Sequence, residues 1–339
     1  MVRIIWIDIT NSPHVHFFCQ LIKELEKRNL EYIITFRESN YIKELLDIYN
    51  FIGTCIGKHG KTLKEKLIFY AERVIGLGEL ISNLKIDVAV AKHSVELPRV
   101  AFGLNIPTVF IVDNEYAKAQ NKLTLPLVDN IIKPKYTDEK LLSECGATSF
   151  INFDGTCEIS HINARLKGYY PLDDNILEKL NIKNDYVVVM RPCPNSSYCN
   201  GHEDIIPKII KEIKRKYDNI DIVVFPRNEE QKYIYKKLGT IIPDKTVDAI
   251  SLLNKSSFMI GAGGTMNRES AILGVPTISC YPQELLGVDK FLIKNNRMIH
   301  TTKLDVILNY FEENLGKRKK IAKFEDPTNK ILKKILEYL

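Results

Sequence analysis

The chain has 339 residues, a formal net charge of +6, and 45% apolar against 27% charged residues. That length suits two domains of about 150 residues each, and the balance of residue types suits globular cores. No apolar run reaches the roughly 18 residues a membrane span needs, no amino-terminal signal is visible, and the Lys and Arg form no basic arm interleaved with aromatics; a membrane span, secretion and nucleic-acid binding are therefore disfavoured, and the expected location is cytoplasmic.

In chain order, apolar strand-like runs fall near 3–9, 31–36, 51–56, 87–91, 107–112 and 129–132. Amphipathic stretches lie between them, such as 17–28 with Phe17, Phe18, Leu21, Ile22 and Leu25 on one face. Such alternation predicts parallel sheets covered by helices. The rhythm breaks between about 153 and 184, where Gly155, Gly168, Pro171, Asp173 and Asp174 cluster, and restarts with runs at 186–192, 220–228, 258–264 and 275–282. The expected fold class is α/β: two doubly wound Rossmann-like domains facing a central cleft, over 1–165 and 166–325. Asp326 as N-cap and Pro327 at the first helical position open a short terminal helix over 326–339 that is expected to pack back across the hinge.

The strongest motif is GAGGTMNRESAILGVPTIS at 261–279. A strand runs into Gly261, Gly263 and Gly264, and a helix begins at once. Glycines there let backbone N–H groups approach a phosphate, and the helix dipole adds about half a positive charge. Glu269, about one and a half turns into that helix, is placed to accept hydrogen bonds from ribose hydroxyls. Met266 stands where the dinucleotide fingerprint has its third glycine, so this is a different motif.

Three other strand ends carry polar clusters. After the first strand come Thr10, Asn11, Ser12 and His14; His14 reads either as a general base or as a capping or loop residue. After 107–112 come Asp113, Asn114 and Glu115, which orient sugar hydroxyls, hold a His, or form a solvated turn. Arg191 and Arg227 end two strands of the second half, suited to a diphosphate or to surface ion pairs. GKHGKT at 57–62 is no P-loop, because Cys55 stands where the first glycine belongs. Seven scattered cysteines without a C-x-x-C pair read as free thiols, and the lack of any Asp-x-Asp pair leaves a bridging metal without obvious ligands.

Taken together, IWIDITNSPHVHFF, IGKHG, VDNE, FDGTCE, FPR and SLLNKSSFMIGAGGTMNRESAILGVP resemble the uncharacterised family known as domain of unknown function 354, over nearly the whole chain. That family is similar to the two-Rossmann-domain (GT-B type) glycosyltransferases and to the non-hydrolysing UDP-N-acetylglucosamine 2-epimerases. The resemblance implies a UDP-sugar partner and no cofactor. It maps the loop histidine of the lipid-II-type N-acetylglucosaminyltransferases onto His14, although their paired glycines are Ser12 and Pro13 here. It maps the epimerases' diphosphate triplet onto Gly263, Gly264 and Thr265, and their ribose-binding Glu onto Glu269. Three functions follow as expectations. The first is a metal-independent glycosyltransferase with His14 as base. The second is an epimerase in which Asp113, Glu115 and His93 or His202 handle protons. The third is a nucleotide-sugar binder without catalysis.

Overall fold

The computed structural model describes residues 3–193 and 203–339. The chain divides into two compact units: one runs to Tyr170 and takes in Phe324–Leu339, the other is Pro171–Lys323.

In the first unit, β1 (Ile4–Ile9), β2 (Glu31–Phe36), β3 (Thr54–Cys55), β4 (Ile86–Lys92), β5 (Thr108–Ile111), β6 (Asn130–Pro134) and β7 (Ile151–Phe153) form one parallel sheet in the order β3-β2-β1-β4-β5-β6-β7. Side chains alternate between its faces. Ile5, Ile7, Ile9, Val88 and Val90 join one core, while Trp6, Ala89, Ala91 and Phe110 join the other. Both faces are covered, which is why the strands read as unbroken apolar runs.

The helix Ser12–Glu26 buries Phe17, Phe18, Leu21, Ile22 and Leu25 in the first core. Each such side chain contributes about 1.5–3 kcal/mol relative to exposure. The helix starts five residues earlier than its apolar spacing suggested, because Pro13 fits its first turn. The strands β7 and β12 (Ile299–His300) are too short to leave a pattern in the sequence.

The terminal segment completes this core. Ile331, Leu332 and Ile335 of the helix Pro327–Leu336 are buried in it. Asp326 caps that helix through Thr328 N at 2.9 Å, and its other oxygen accepts from Gln20 Nε2 at 2.8 Å and Asn163 Nδ2 at 2.9 Å. Gly155 permits the approach: a Cβ there would sit 2.7 Å from the Glu325 carbonyl oxygen.

Two polar groups lock the helices. Arg73, in the helix Leu63–Ile81, is fully buried. Its Nη2 donates to Asp8 Oδ1 at 2.6 Å, its Nη1 to Asp8 Oδ2 and Glu96 Oε2 at 3.1 Å each, and its Nε to the Ile56 carbonyl at 2.8 Å. Burial alone would lower its pKa, but the two carboxylates outweigh that and hold the guanidinium charged. The second group is His16, whose Nδ1 lies 2.6 Å from the Tyr49 hydroxyl, with His161 and Arg165 beside it.

In the second unit, β8 (Tyr186–Arg191), β9 (Ile220–Val224), β10 (Phe258–Gly261), β11 (Thr277–Ser279) and β12 form a parallel sheet in the order β12-β11-β10-β8-β9. Val188, Met190, Ile222, Val224, Phe258 and Ile260 face the helices Ile206–Lys216 and Leu304–Asn314 in one core. Cys193 is in a disulfide, which corrects the expectation of free thiols at that position; Cys19, Cys55, Cys145, Cys157 and Cys280 are free. Among the described residues no helix is long and apolar enough to cross a membrane.

Two measurements test these locks. Arg73→Met strands two buried carboxylates and is expected to cost about 3–5 kcal/mol in urea unfolding, well beyond the loss of a surface arginine. A cost under about 1 kcal/mol would show the ion pairs to be dispensable. The second concerns pH. Burial, then His161 and Arg165, push the His16 imidazole down to about 3, while the unfolded residue titrates near 6.5. The unfolded state therefore binds the proton first, and stability falls as pH drops below 6.5. Between pH 7 and 5, His16→Gln should lose about 1–2 kcal/mol less stability than the parent, the lower figure allowing for screening at its exposed edge. Equal losses in both proteins would remove His16 from the account.

Candidate functional site

In open α/β sheets ligands bind outside the carboxyl ends of the strands, where the strand order reverses. In the second unit that point lies between β8 and β10. Arg191 ends β8 and Gly261 ends β10. The helix Thr265–Leu273 starts directly after, with Gly264 as its N-cap and Thr265, half-buried, as its first residue.

The glycines serve space rather than backbone angle. Gly264 has φ −87°, and neither Gly261 nor Gly263 is among the residues with positive φ. A Cβ on Gly261 would stand 2.2 Å from Asn267 Oδ1, on Gly263 2.9 Å from Arg227 Nη2, and on Gly264 2.5 Å from Arg268 Nη1. The turn is thus packed against two guanidiniums and a buried amide.

These cations differ in their surroundings. Arg268 is buried and pairs with Asp289 at 3.1 Å. Arg191 is half-buried, and its Nη1 donates to the Phe225 carbonyl at 2.8 Å and the Pro226 carbonyl at 3.2 Å. Arg227 is exposed and donates from Nε to the Pro192 carbonyl at 3.3 Å; among the described residues no carboxylate pairs with it. Glu269 is buried, not a surface residue, on the second turn of the helix. Ala262 also lines a cavity of about 420 Å³ with Asp204, Lys208, Cys280 and Thr302. Burial pushes the Asp204 carboxyl above its ordinary value, although the Tyr235 hydroxyl donates to it.

In the first unit the order reverses between β1 and β4. His14 is the third residue of the helix that follows β1, and it is buried. Its Nδ1 lies 3.5 Å from Thr10 Oγ1. Burial, then Lys92 and His93, lower its pKa well below 6.5, so the ring is neutral at neutral pH. Asn11 is the exposed N-cap residue; Arg37 Nη2 donates to its Oδ1 at 3.2 Å and to the Thr10 carbonyl at 2.7 Å. Ser12, half-buried, opens the helix.

At the end of β5, Asp113 is buried between Lys92 Nζ at 2.6 Å and His93 Nε2 at 2.9 Å. Burial would lower the Lys92 ammonium, but Asp113, with Cys157 and Glu158, holds it above its ordinary value. His93 has φ +49°, a left-handed backbone uncommon outside glycine. Asn114 builds a turn: its Oδ1 accepts from Tyr116 N at 3.0 Å and its carbonyl from Asn121 Nδ2 at 3.0 Å. Glu115 is buried rather than solvated. His202 lies outside the described residues.

The structure therefore gathers His14, Lys92, His93 and Asp113 at the carboxyl ends of the strands of one sheet, and Arg191, Arg227, Gly263, Gly264 and Thr265 at those of the other. Lys92, Arg268 and Asp289 were missed in the sequence. The run VAVAKHS, an apolar strand ending in two cations, was the available signal for Lys92; nothing local marks Arg268, whose partner lies 21 residues on. The segment GKHGKT is a helix-capping loop. Thr62 Oγ1 accepts from Glu65 N at 3.1 Å, Glu65 accepts from Thr62 N at 3.0 Å, and Gly60 lies so close to the helix that a Cβ would sit 2.3 Å from Lys66 N. Among the described residues no group of three or more His, Cys, Asp or Glu is placed to hold a metal ion.

If the glycine at 264 exists to admit Arg268, then Gly264→Ala should displace that side chain from Asp289 and cost about 1–3 kcal/mol. Asp289→Asn should cost a similar amount, and the double variant less than the sum, since both act on one ion pair. Strict additivity in urea titrations would show that the methyl group disturbs something else.

Comparisons with known proteins come from both sequence and structure. A family model described as protein of unknown function (DUF354) matches residues 3–339. An uncharacterized protein of Methanocaldococcus jannaschii is 65% identical over 336 residues, 99% of this chain and 98% of its own length. Among solved structures, the UDP-GlcNAc 2-epimerase of the same organism in complex with UDP-GlcNAc and UDP is 15% identical with a TM-score of 0.74, covering 99% of this chain and 100% of that one. An Anabaena protein in complex with UDP and glucose is 14% identical with a TM-score of 0.58, covering 100% of each chain. At these identities the structural likeness shows the fold: two parallel-sheet α/β domains of the GT-B-like type.

Proposed function

The chain belongs to the DUF354 family, and we propose that it is an enzyme whose second unit holds a nucleotide-diphosphate sugar, a UDP-sugar, for transfer to an acceptor. The observation that carries this reading is Arg227. It is an exposed guanidinium without a carboxylate partner among the described residues, beside the glycine turn at the point where the strand order reverses. A cation left uncompensated there, next to free N–H groups of a helix N-terminus, suits an anion with two charged oxygens. Gly263, Gly264 and Thr265 present the backbone to the diphosphate, Arg191 and Arg227 flank it, and Glu269 accepts the ribose hydroxyls. The bound sugar complexes of the fold relatives support the ligand class.

The transfer chemistry rests on the first unit. Asn11, Ser12 and Asn114 bind the acceptor, and His14 removes its proton. A neutral imidazole can take a proton throughout the neutral range, which is what a general base needs. The donor side needs no metal on this reading, because guanidinium and helix N-terminus meet the diphosphate charge.

A second reading, nucleotide-sugar 2-epimerisation, is favoured by a different observation. Asp113 is buried beside Lys92 and His93, and Glu115 is buried two residues on. Buried acids next to a histidine can remove and return a proton at one carbon.

Calorimetry with UDP tests the shared part: Arg227→Ala and Glu269→Ala should each weaken binding about ten- to a hundredfold, and affinity unchanged in both would end the donor-site assignment. Incubation with UDP-GlcNAc alone then separates the two chemistries, because an epimerase converts it without acceptor. For transfer, His14→Ala should cut turnover by about 10²–10⁴ with donor affinity kept. Since the His14 pKa lies well below 6.5, activity should stay level from pH 6 to 8; a limb rising near 6.5 would point to another base.

A further inference from the structure

Arg37 follows β2 at the carboxyl end of the first sheet, beside the end of β1 that leads to His14. Its Nη2 donates to the Thr10 carbonyl at 2.7 Å and to Asn11 Oδ1 at 3.2 Å, which holds the guanidinium against the start of the helix Ser12–Glu26. Among the described residues no carboxylate forms an ion pair with Arg37, and its Nε and Nη1 find no acceptor. The acids that act on it from a distance, Glu96 and Asp8, are both held by Arg73. Burial lowers its pKa, and those two acids do not restore it. The helix beside it adds charge of the same sign, because Asn11 makes no side-chain cap and the first turn carries no acid.

The loop at 57–62 brings a further titratable group to this point. Glu38 N donates to the Gly57 carbonyl at 2.8 Å, which ties the loop to the chain leaving β2. His59 stands exposed on it, and partial desolvation, then Arg37 and Lys66, lower its pKa. Arg37 also acts on His14, behind burial, Lys92, His93 and, in the opposite sense, Asp113. Two histidines on separate elements thus sense one cation that the surrounding acids leave unneutralised. The acid nearest in the loop, Glu65, is spent on Lys61 N and Thr62 N. We propose, building on the transfer reading of His14, that Arg37 and His59 hold an oxyanion, phosphate or carboxylate, carried by the acceptor. Arg37 has donors to spare for the two oxygens of such a group. Anchoring the acceptor through a charge remote from the reacting hydroxyl turns that hydroxyl toward His14. A neutral acceptor would leave a half-buried guanidinium without a counter-charge.

The test titrates inorganic phosphate into the whole chain at fixed neutral pH and constant ionic strength, following the His59 ring protons by NMR. The parent should give a saturable shift. Arg37→Gln should weaken it at least about tenfold, with Arg37→Lys in between. UDP affinity by calorimetry should not change in Arg37→Gln, because the donor groups belong to the second unit. Should that variant fail to fold, exposed His59→Gln is expected to weaken phosphate about two- to fivefold. Glucose 6-phosphate, glucuronate and glucose then form a matched set. The better of the two charged sugars should bind at least about tenfold tighter than glucose in the parent and no tighter in Arg37→Gln, and its identity names the oxyanion. The proposal falls if no saturable shift occurs, or if the shift survives Arg37→Gln. It falls equally if phosphate binds without any preference for a charged sugar (an adventitious ion only), or if a second equivalent of UDP is lost with Arg37, which would make this a nucleotide site. UDP that fails to bind beside an intact phosphate response would end the donor reading while the anion site stands; UDP binding without a phosphate response does the reverse.

Discussion

A single buried guanidinium sets the geometry of the first unit. Arg73 reaches from a helix into the sheet and uses both terminal guanidinium nitrogens, Nη1 and Nη2, on Asp8 of β1. It also takes in Glu96 after β4 and the Ile56 carbonyl before the capping loop. Asp8 in turn accepts from Ser94 Oγ at 2.5 Å and Thr35 Oγ1 at 2.6 Å, and Thr35 accepts from the Trp6 indole at 2.8 Å. Taking these charges out of water is expensive, and an apolar replacement of the whole set would give comparable stability. What the network supplies is position. It ties the ends of β1, β2 and β4 to one another, and those ends carry His14, Arg37 and His93.

The two candidate sites differ in how their charge is balanced. At the first site Lys92 and Asp113 pair with each other, and burial first, then the Lys92 and His93 charges, keep the His14 ring neutral. At the second, Arg268 is compensated by Asp289, while no carboxylate among the described residues pairs with Arg227. On the proposed function the two are complementary: the buried neutral histidine would handle protons and the exposed cation would handle anions. Each is local to its own unit, and each is built on rigid strand ends rather than on long loops.

The architecture was legible because both sheets are parallel and covered on both faces. Runs such as YVVVMR and DVAVAK are apolar on successive residues, and their alternation with amphipathic stretches marks strands buried on both faces. The glycine turn was legible too, as a strand running into glycines and then a helix; the structure adds that Gly264 lies against the buried Arg268 and that the backbone angles there are ordinary. A sequence lists what a glycine lacks and not what fills the space. Arg73 was illegible for a related reason. It sits in a helix with Lys64, Lys66, Glu72 and Glu79, where every charge looks solvated, and its partners lie 65 and 23 residues away. The role of Glu269 stood midway: its place on the helix was readable, its burial was not.

The terminal helix has a consequence for how the chain comes off the ribosome. The first unit is synthesised first, yet its core closes only when Ile331, Leu332 and Ile335 arrive. The second unit, Pro171–Lys323, is continuous in the chain and needs nothing later. During translation the order of completion is therefore reversed relative to the order of synthesis: the half that emerges later is finished earlier. Until residues 324–339 are available, the apolar faces of the helices Ser12–Glu26 and Ile159–Leu166 lack their cover. The nascent first half is thus the part most in need of protection from aggregation, and a ribosome stalled shortly before the terminal helix would release one finished domain and one open one.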